Sequence, residues 1–306
     1  MIYVLLIVMA ALLGGAYYAY RISFYVDRSN AAESPMVLDE QYDPYRPRMR
    51  QIRDHLVAIP YETVHITSFD GLHLTGRYYH VADGAPLDIC FHGYRSNPVI
   101  DFSGGSEISF SLGHNVLMVE QRAHCTSEGH VITFGILERR DLLSWVQYAV
   151  ERFGTDTRIL LYGVSMGGAT VLMAADLPLP ENVKGIIADC PYAVAADIIV
   201  EVGKGMHFPA FVTKVLATVG ARVFGHFNLH ETDALRAVKA TKIPILIIHG
   251  DDDRFVPCAM SEKVQQANPK MVTRYLVPTA GHGIAYLVDT PFYTEKACEF
   301  IDRCLK

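Results

Sequence analysis

The sequence predicts an α/β fold: a mostly parallel sheet of eight strands, helices on both faces, and a helical insertion at one strand end. Three observations predict it. Short apolar runs alternate with helical patterns from residue 61 to residue 306, as in βαβ units whose sheet is covered on both sides. One unit, Ile159–Tyr162, runs into Gly163-Val-Ser-Met-Gly167 and then an apolar helix; that is a strand, a tight turn and a helix with a serine at the apex. Between Asp189 and Ile243 lie about fifty mostly helical residues, where a single crossover helix is normal.

Met1 to Tyr20 carries no charge and is ended by Arg21. Twenty helical residues at ~1.5 Å each match the ~30 Å hydrocarbon core of a bilayer. Tyr17, Tyr18, Tyr20, Phe24 and Tyr25 read as an interfacial aromatic belt. A cleaved signal peptide needs a basic stretch first and a small-x-small site after; no Lys or Arg precedes this run, and Ala16-Tyr-Tyr-Ala-Tyr20 is a poor site. Residues 1–26 are therefore expected to be a single membrane anchor. Arg21 and Arg28 follow it and nothing basic precedes it, which favours a cytoplasmic catalytic part. Residues 27–60 read as a polar linker with Pro35, Pro44 and Pro47, then a short helix, Arg48 to Val57.

Residues 61–306 are the main domain. Val64–Thr67 and Leu72–Tyr79 alternate apolar and polar around Asp70-Gly71, a hairpin signal. Further strands are expected at Leu87–Phe91, Val116–Glu120, Ile159–Tyr162, Gly185–Ala188, Ile245–His249 and Arg274–Val277. Helices are expected at Glu138–Phe153, Ala169–Leu177, Ala259–Ala267 and Pro291–Leu305. The insertion, at about 191–240, leaves the carboxyl end of a strand, where open α/β sheets build their sites, and reads as a lid.

Composition narrows the function. Half of the 306 residues are apolar and the net charge is −6, which argues against a nucleic-acid partner. Six cysteines lack C-x-x-C spacing and read as reduced and structural. His226 and His230 are four apart, but the run HFNLHE is no zinc-binding helix. No metal and no cofactor is expected.

Ser165 is the candidate nucleophile, and a serine hydroxyl needs a base and a carboxylate behind it. For this turn the order Ser, Asp, His is expected. His282, in Thr279-Ala-Gly-His-Gly283 after the last strand, is the base. The acid lies in Gly250-Asp-Asp-Asp-Arg-Phe-Val-Pro257. We choose Asp253, although the residues alone leave Asp251, Asp252 and Asp189 open. Two backbone N–H groups should form an oxyanion hole: that of Met166 after the nucleophile, and that of Tyr94 in Phe91-His-Gly-Tyr94. His92 reads as a structural residue of that turn.

Over residues 60 to 306 the chain resembles the α/β-hydrolase fold superfamily. The resemblance rests on His92-Gly93, Gly163-Val-Ser-Met-Gly-Gly168, Gly250 with Asp253 and Val256-Pro257, and Gly281-His282-Gly283. It is closest in kind to membrane-anchored bacterial serine hydrolases of the Bem46-like and prolyl-oligopeptidase-like branch. The G-x-x-D-x-x-V-P pattern of that superfamily supports Asp253. Glu120-Gln-Arg-Ala-His-Cys-Thr-Ser-Glu-Gly129 departs from D-x-R-G-H-G-x-S-x-G, with Ala123 and Cys125 in place of glycines; this segment is expected to shape the pocket wall. The resemblance implies a serine hydrolase of carboxylic esters acting through an acyl-enzyme. Thioesterase, acyltransferase or peptidase chemistry with the same residues, and a silent membrane-tethered binding protein, are the alternatives. Met206, Phe208, Phe211 and Val215 recur near helical spacing in the insertion; such stripes commonly pack on a core, but on a tethered hydrolase they point to a small-molecule ester with an apolar or lipid-like acyl chain. Oligomeric state is not written in the sequence.

Overall fold

A computed structural model describes residues 1–27 and 40–306. Arg28 and Pro35 lie outside the described residues. In chain order the elements are α1 (Ile2–Ser23), α2 (Arg46–Ala58), β1 (Glu62–Thr67), β2 (His73–Tyr79), β3 (Leu87–Phe91), α3 (Pro98–Phe102), α4 (Gly105–Ser111) and β4 (Asn115–Val119). Then follow α5 (Glu138–Phe153), β5 (Ile159–Val164), α6 (Met166–Met173), β6 (Val183–Asp189), α7 (Ala195–Gly205), α8 (Ala210–Val223) and α9 (Ala234–Ala240). The chain closes with β7 (Ile245–Gly250), α10 (Ala259–Ala267), β8 (Val272–Val277), α11 (Ala285–Val288) and α12 (Thr290–Leu305).

The strands form one eight-stranded sheet in the order β1-β2-β4-β3-β5-β6-β7-β8. β1 and β2 pair antiparallel with Val64 opposite Gly76, β2 pairs antiparallel with β4, and the other pairings are parallel. The pleat sends alternate residues to opposite faces. Leu87, Ile89 and Phe91 of β3 with Ile159 and Leu161 of β5 enter the core beneath α5, α6, α9 and α10. Cys90, Leu160 and Tyr162 enter a second core with α2, α3, α4 and α12. Both faces are covered, which is why the central strands are buried along their length and read as unbroken apolar runs.

Three features differ from the sequence reading. α3 and α4 occupy a stretch rich in Ser and Gly, where helical periodicity is weak; Asn97 caps α3, its side chain accepting from the N–H of Ile100. The stretch at about 191–240 is not one lid: α7 and α8 form the insertion, whereas α9 packs against α6 and α10 as the crossover helix leading into β7. Residues 40–58 are more than linker, since Tyr42, Ile52 and Leu56 are buried.

α1 also departs from a free anchor. Met1 to Gly14 are exposed, but Ala16, Tyr20 and Phe24, spaced by four, are buried on one face. α1 packs along α8: a Cβ on Gly220 would lie 2.6 Å from the Ala16 carbonyl oxygen, so only glycine admits the approach. Phe24 ends between Phe134 and Phe227, at ring-centroid distances of 5.7 and 5.2 Å. The chain then pairs with residues 130–132, Ile132 N–H donating to Phe24 O at 2.8 Å and Val26 N–H to His130 O at 2.8 Å.

Candidate active site

β5 delivers Ser165 at its carboxyl end, and α6 starts at the next residue. The turn is tight enough to hold Ser165 at φ 55°, ψ −114°, a left-handed conformation costing a non-glycine residue ~1–3 kcal/mol. The flanking glycines are a steric requirement. A Cβ on Gly163 would collide with the Gly167 carbonyl, and one on Gly167 with the Phe91 carbonyl. The serine is locked by Ser165 N–H donating to Asp189 O at 2.8 Å.

The loops after β7 and β8 bring Asp253 and His282 to this serine. His282 Nε2 lies 2.9 Å from Ser165 Oγ, and His282 Nδ1 lies 2.8 Å from Asp253 Oδ2. Since the carboxylate only accepts, Nδ1 carries the proton and Nε2 is the acceptor for the serine hydroxyl. Asp253 is fully enclosed. Its Oδ1 accepts from the N–H groups of Phe255 and Val256, at 2.9 and 2.8 Å, and its Oδ2 also lies 3.1 Å from His249 Nε2. The neighbouring aspartates are spoken for elsewhere: Asp252 by Gln41 and Arg254, and Asp251 by the N–H of Thr279. Asp189 accepts from Tyr293 at 2.9 Å and does not hydrogen-bond His282.

Electrostatics follow from this packing. Burial opposes charge on both partners. For His282 the Asp253 carboxylate outweighs it, with Asp189 and Asp101 adding, so the imidazole pKa stands above its ordinary 6.5. For Asp253 the His282 charge and the hydrogen bonds from His249 and His282 outweigh burial and hold the carboxyl well below the usual range. Asp189, buried and less well paired, is pushed up to about 6.

Met166 follows Ser165 in the chain, and Tyr94 follows Gly93 in the loop after β3. A Cβ on Gly93 would sit 3.4 Å from Ser165 Cβ, so the loop after β3 passes directly over the serine. Gly93 N–H is taken by Asp101 at 2.5 Å and Arg95 N–H by His124 at 3.0 Å; the N–H groups of Tyr94 and Met166 take no part in the backbone bonds of these turns. The loop is braced from below. His92 Nδ1 donates to Gly93 O at 2.8 Å and its Nε2 accepts from Gln121 N–H at 3.1 Å. Burial holds His92 and His124 below their ordinary pKa, His124 at about 4, so both brace as neutral rings. The 120–129 segment is thus a buttress of the loop. Ala123 and Cys125 keep positive φ values of 62° and 47° without glycine.

Several contributors were invisible in the sequence. Tyr42, from the turn before α2, donates its hydroxyl to the His282 carbonyl at 2.7 Å. Tyr94 OH donates to Ser23 O at 2.9 Å, and the Arg95 guanidinium reaches Ile22 O and Tyr25 O at 3.0 and 3.1 Å. The end of α1 is therefore clamped to the loop that carries Tyr94. These are contacts between distant segments, and no local pattern encodes them. His249, at a strand end beside Gly250, could have been suspected from its place.

Met206, Phe208 and Phe211 are 51%, 45% and 78% exposed, and Val215 is half-buried on α8. The structure does not gather these residues around Ser165. The rings nearest the loop of Tyr94 are those of Phe134, with Phe24 and Tyr192 behind it. Cys190 Sγ stands 4.0 Å from His282 Nε2; it forms with Asp253 and His282 the cluster of metal-ligand type found among the described residues. Asp253 meets His282 on the ring nitrogen opposite to the one Cys190 faces, so these atoms do not converge on one ion.

Strand order, the glycine-flanked serine and the His–Asp pair on successive strand-end loops define the α/β-hydrolase fold. A family model described as alpha/beta hydrolase fold matches residues 89–227, a span that holds Ser165 and stops before Asp253 and His282. The chain is 25% identical over 228 residues to the uncharacterized protein YqkD of Bacillus subtilis, covering 74% of each. It is 25% identical over 234 residues to the uncharacterized protein YfhR of Salmonella typhimurium, covering 72% of this chain and 74% of that one. Among solved structures, the Pyrococcus furiosus esterase Pf2001 superposes with a TM-score of 0.67 at 22% identity, over 82% of this chain and 95% of that one. Est1E from Butyrivibrio proteoclasticus, solved with ferulic acid, gives 0.60 at 21% identity, over 79% and 99%.

Proposed function

We propose that this protein is a membrane-anchored serine hydrolase of carboxylic esters. The observation that carries the reading is the unbroken chain of hydrogen bonds from Ser165 through His282 to Asp253. Ser165 Oγ attacks the acyl carbon as its proton passes to His282 Nε2, while Asp253 holds the tautomer and stabilises the imidazolium. The N–H groups of Tyr94 and Met166 receive the oxyanion. His282 then protonates the leaving alcohol, and water repeats the sequence on the acyl-enzyme to release the acid. The esterase name of the structural neighbour Pf2001 is in keeping with this chemistry.

The anchor reading rests on α1, which is long and apolar enough to cross a membrane. A signal sequence passes the same test, but signal cleavage would strip Tyr20 and Phe24 out of a filled core. The test is hydrolysis of nitrophenyl esters from acetyl to palmitoyl by the full chain in detergent. Ser165→Ala should lower turnover by roughly 10⁴-fold or more. A folded wild type inert on every ester overturns the reading, and equal rates on acetyl and medium-chain esters count against an apolar substrate.

A further inference from the structure

α1 and α8 pack parallel. Gly15 meets Leu216, Ala16 meets Gly220, and Tyr17 and Tyr20 meet Phe224, so residue numbers rise together along both helices. The start of α8 therefore points the same way as the exposed amino-terminal half of α1. One helical turn, ~5.4 Å, separates Leu216 from Val212, which places Val212 level with Ala11 and Leu12. The turn from α7 into α8 lies at that end. Met206, Phe208, Phe211 and Val212 are 51%, 45%, 78% and 42% exposed there, an apolar cluster on a surface where single exposed hydrophobics are the norm.

Length adds an independent constraint. The unbroken exposed run of α1 is Ile2 to Gly14; at ~1.5 Å per residue that is about 20 Å, short of the ~30 Å hydrocarbon core. A bilayer crossed by α1 must reach past Gly14, and so must meet the beginning of α8. The charges are ordered to match. Lys204, paired with Glu201 at 2.7 Å, and Lys214 flank the apolar tip, and lysines can carry their ammonium groups up to the headgroups. Arg21 and Arg222 are exposed at a common level about two turns nearer the domain.

We propose that the α7–α8 turn is a second membrane contact, with Met206, Phe208, Phe211 and Val212 entering the lipid beside α1. The insertion is thus a foot that seats the domain on the bilayer; the proposal rests on the anchor reading of α1. It holds the clamped end of α1, and with it the loop of Tyr94, at a fixed height above the lipid. The substrate class that fits is an ester already dissolved in the membrane.

The test uses the full chain in phosphatidylcholine vesicles containing lipids brominated in the upper acyl chain. The one native tryptophan, Trp145, is buried at 1% exposure and supplies the background. Tryptophan is introduced by Phe211→Trp, by Val212→Trp, by Tyr3→Trp within α1 and by Tyr61→Trp, which is 44% exposed beside β1. An interfacial apolar face lies ~5–10 Å below the headgroups, so the new fluorescence should be largely lost at positions 211, 212 and 3 and kept at 61. Loss at position 3 but at neither 211 nor 212 overturns the proposal and leaves the anchor intact. Retention at all positions overturns the anchor reading as well. Loss at 61 too means adsorption of the whole domain, and overturns the specific seating.

Discussion

The proposed chemistry rests on two residue-scale features: the strained Ser165 and the enclosed Asp253. Because His282 titrates above 6.5 and must be neutral to accept the serine proton, the acid limb of kcat/KM should lie above pH 6.5. Its cause is first of all the Asp253 charge working against burial, so Asp253→Asn should move that limb to lower pH while cutting the rate. An unmoved limb would mean that another group titrates there. Ala123 keeps a φ of 62°, a conformation that costs an L-residue ~1–2 kcal/mol; part of this is offset by the flexibility glycine adds to the unfolded chain. Ala123 is also buried in the core, and losing its methyl costs about 0.8 kcal/mol, so Ala123→Gly should leave stability within about 0.5 kcal/mol of the parent chain, read from denaturant unfolding. Ser165 and His282 were legible as a candidate pair because glycine flanks them in fixed spacing. Asp253 needed more than spacing: its four donors distinguish it from Asp251 and Asp252, two of them backbone N–H groups, one His249 and one the distant His282.

At the scale of elements, the sheet was legible strand by strand, since two-sided burial leaves apolar runs that turns punctuate. α5 and α10 were legible to the residue because each buries one face while the other stays polar. α3 and α4 were not, being short and held by capping and Gly–Ser packing. The contact of α1 with α8 was not legible either: an apolar helix looks the same whether it faces lipid or protein, and the only local sign was small residues, Gly15, Ala16 and Gly220. Gly220→Leu should force α1 away from α8 and cost ~1–3 kcal/mol, seen as a lower melting temperature. Tyr94→Phe removes the hydroxyl clamp to Ser23 O, a bond worth ~1 kcal/mol. It should lower kcat a few-fold with little change in KM, since only the loop of Tyr94, proposed to hold the oxyanion, is loosened. An unchanged kcat would show that the clamp does not reach the reaction.

At the scale of the molecule, the amino-terminal helix and the hydrolase domain are one folded unit, not a tether and its load. Phe24 fills the core between Phe134 and Phe227, and the chain after it extends a backbone pairing. Deleting residues 1–26 should therefore destabilise the domain as well as release it from membranes. The truncated chain should unfold at lower denaturant than the full chain in detergent and lose ester turnover. Full activity in the truncated chain would contradict the coupling. The whole-molecule arrangement was the least legible part of the sequence, because Tyr42, Tyr94 and Arg95 act through carbonyls far away in the chain, and backbone acceptors have no sequence signature.

In the proposed mechanism Ser165 is a nucleophile activated by His282. The most direct measurement treats the full chain in detergent with a fluorophosphonate and maps the adduct by mass. One phosphonyl group per chain is expected, on Ser165, absent from Ser165→Ala and much slowed in His282→Ala. A folded chain that stays unlabelled, or that carries the label on Cys190 or elsewhere while Ser165 is free, would contradict it.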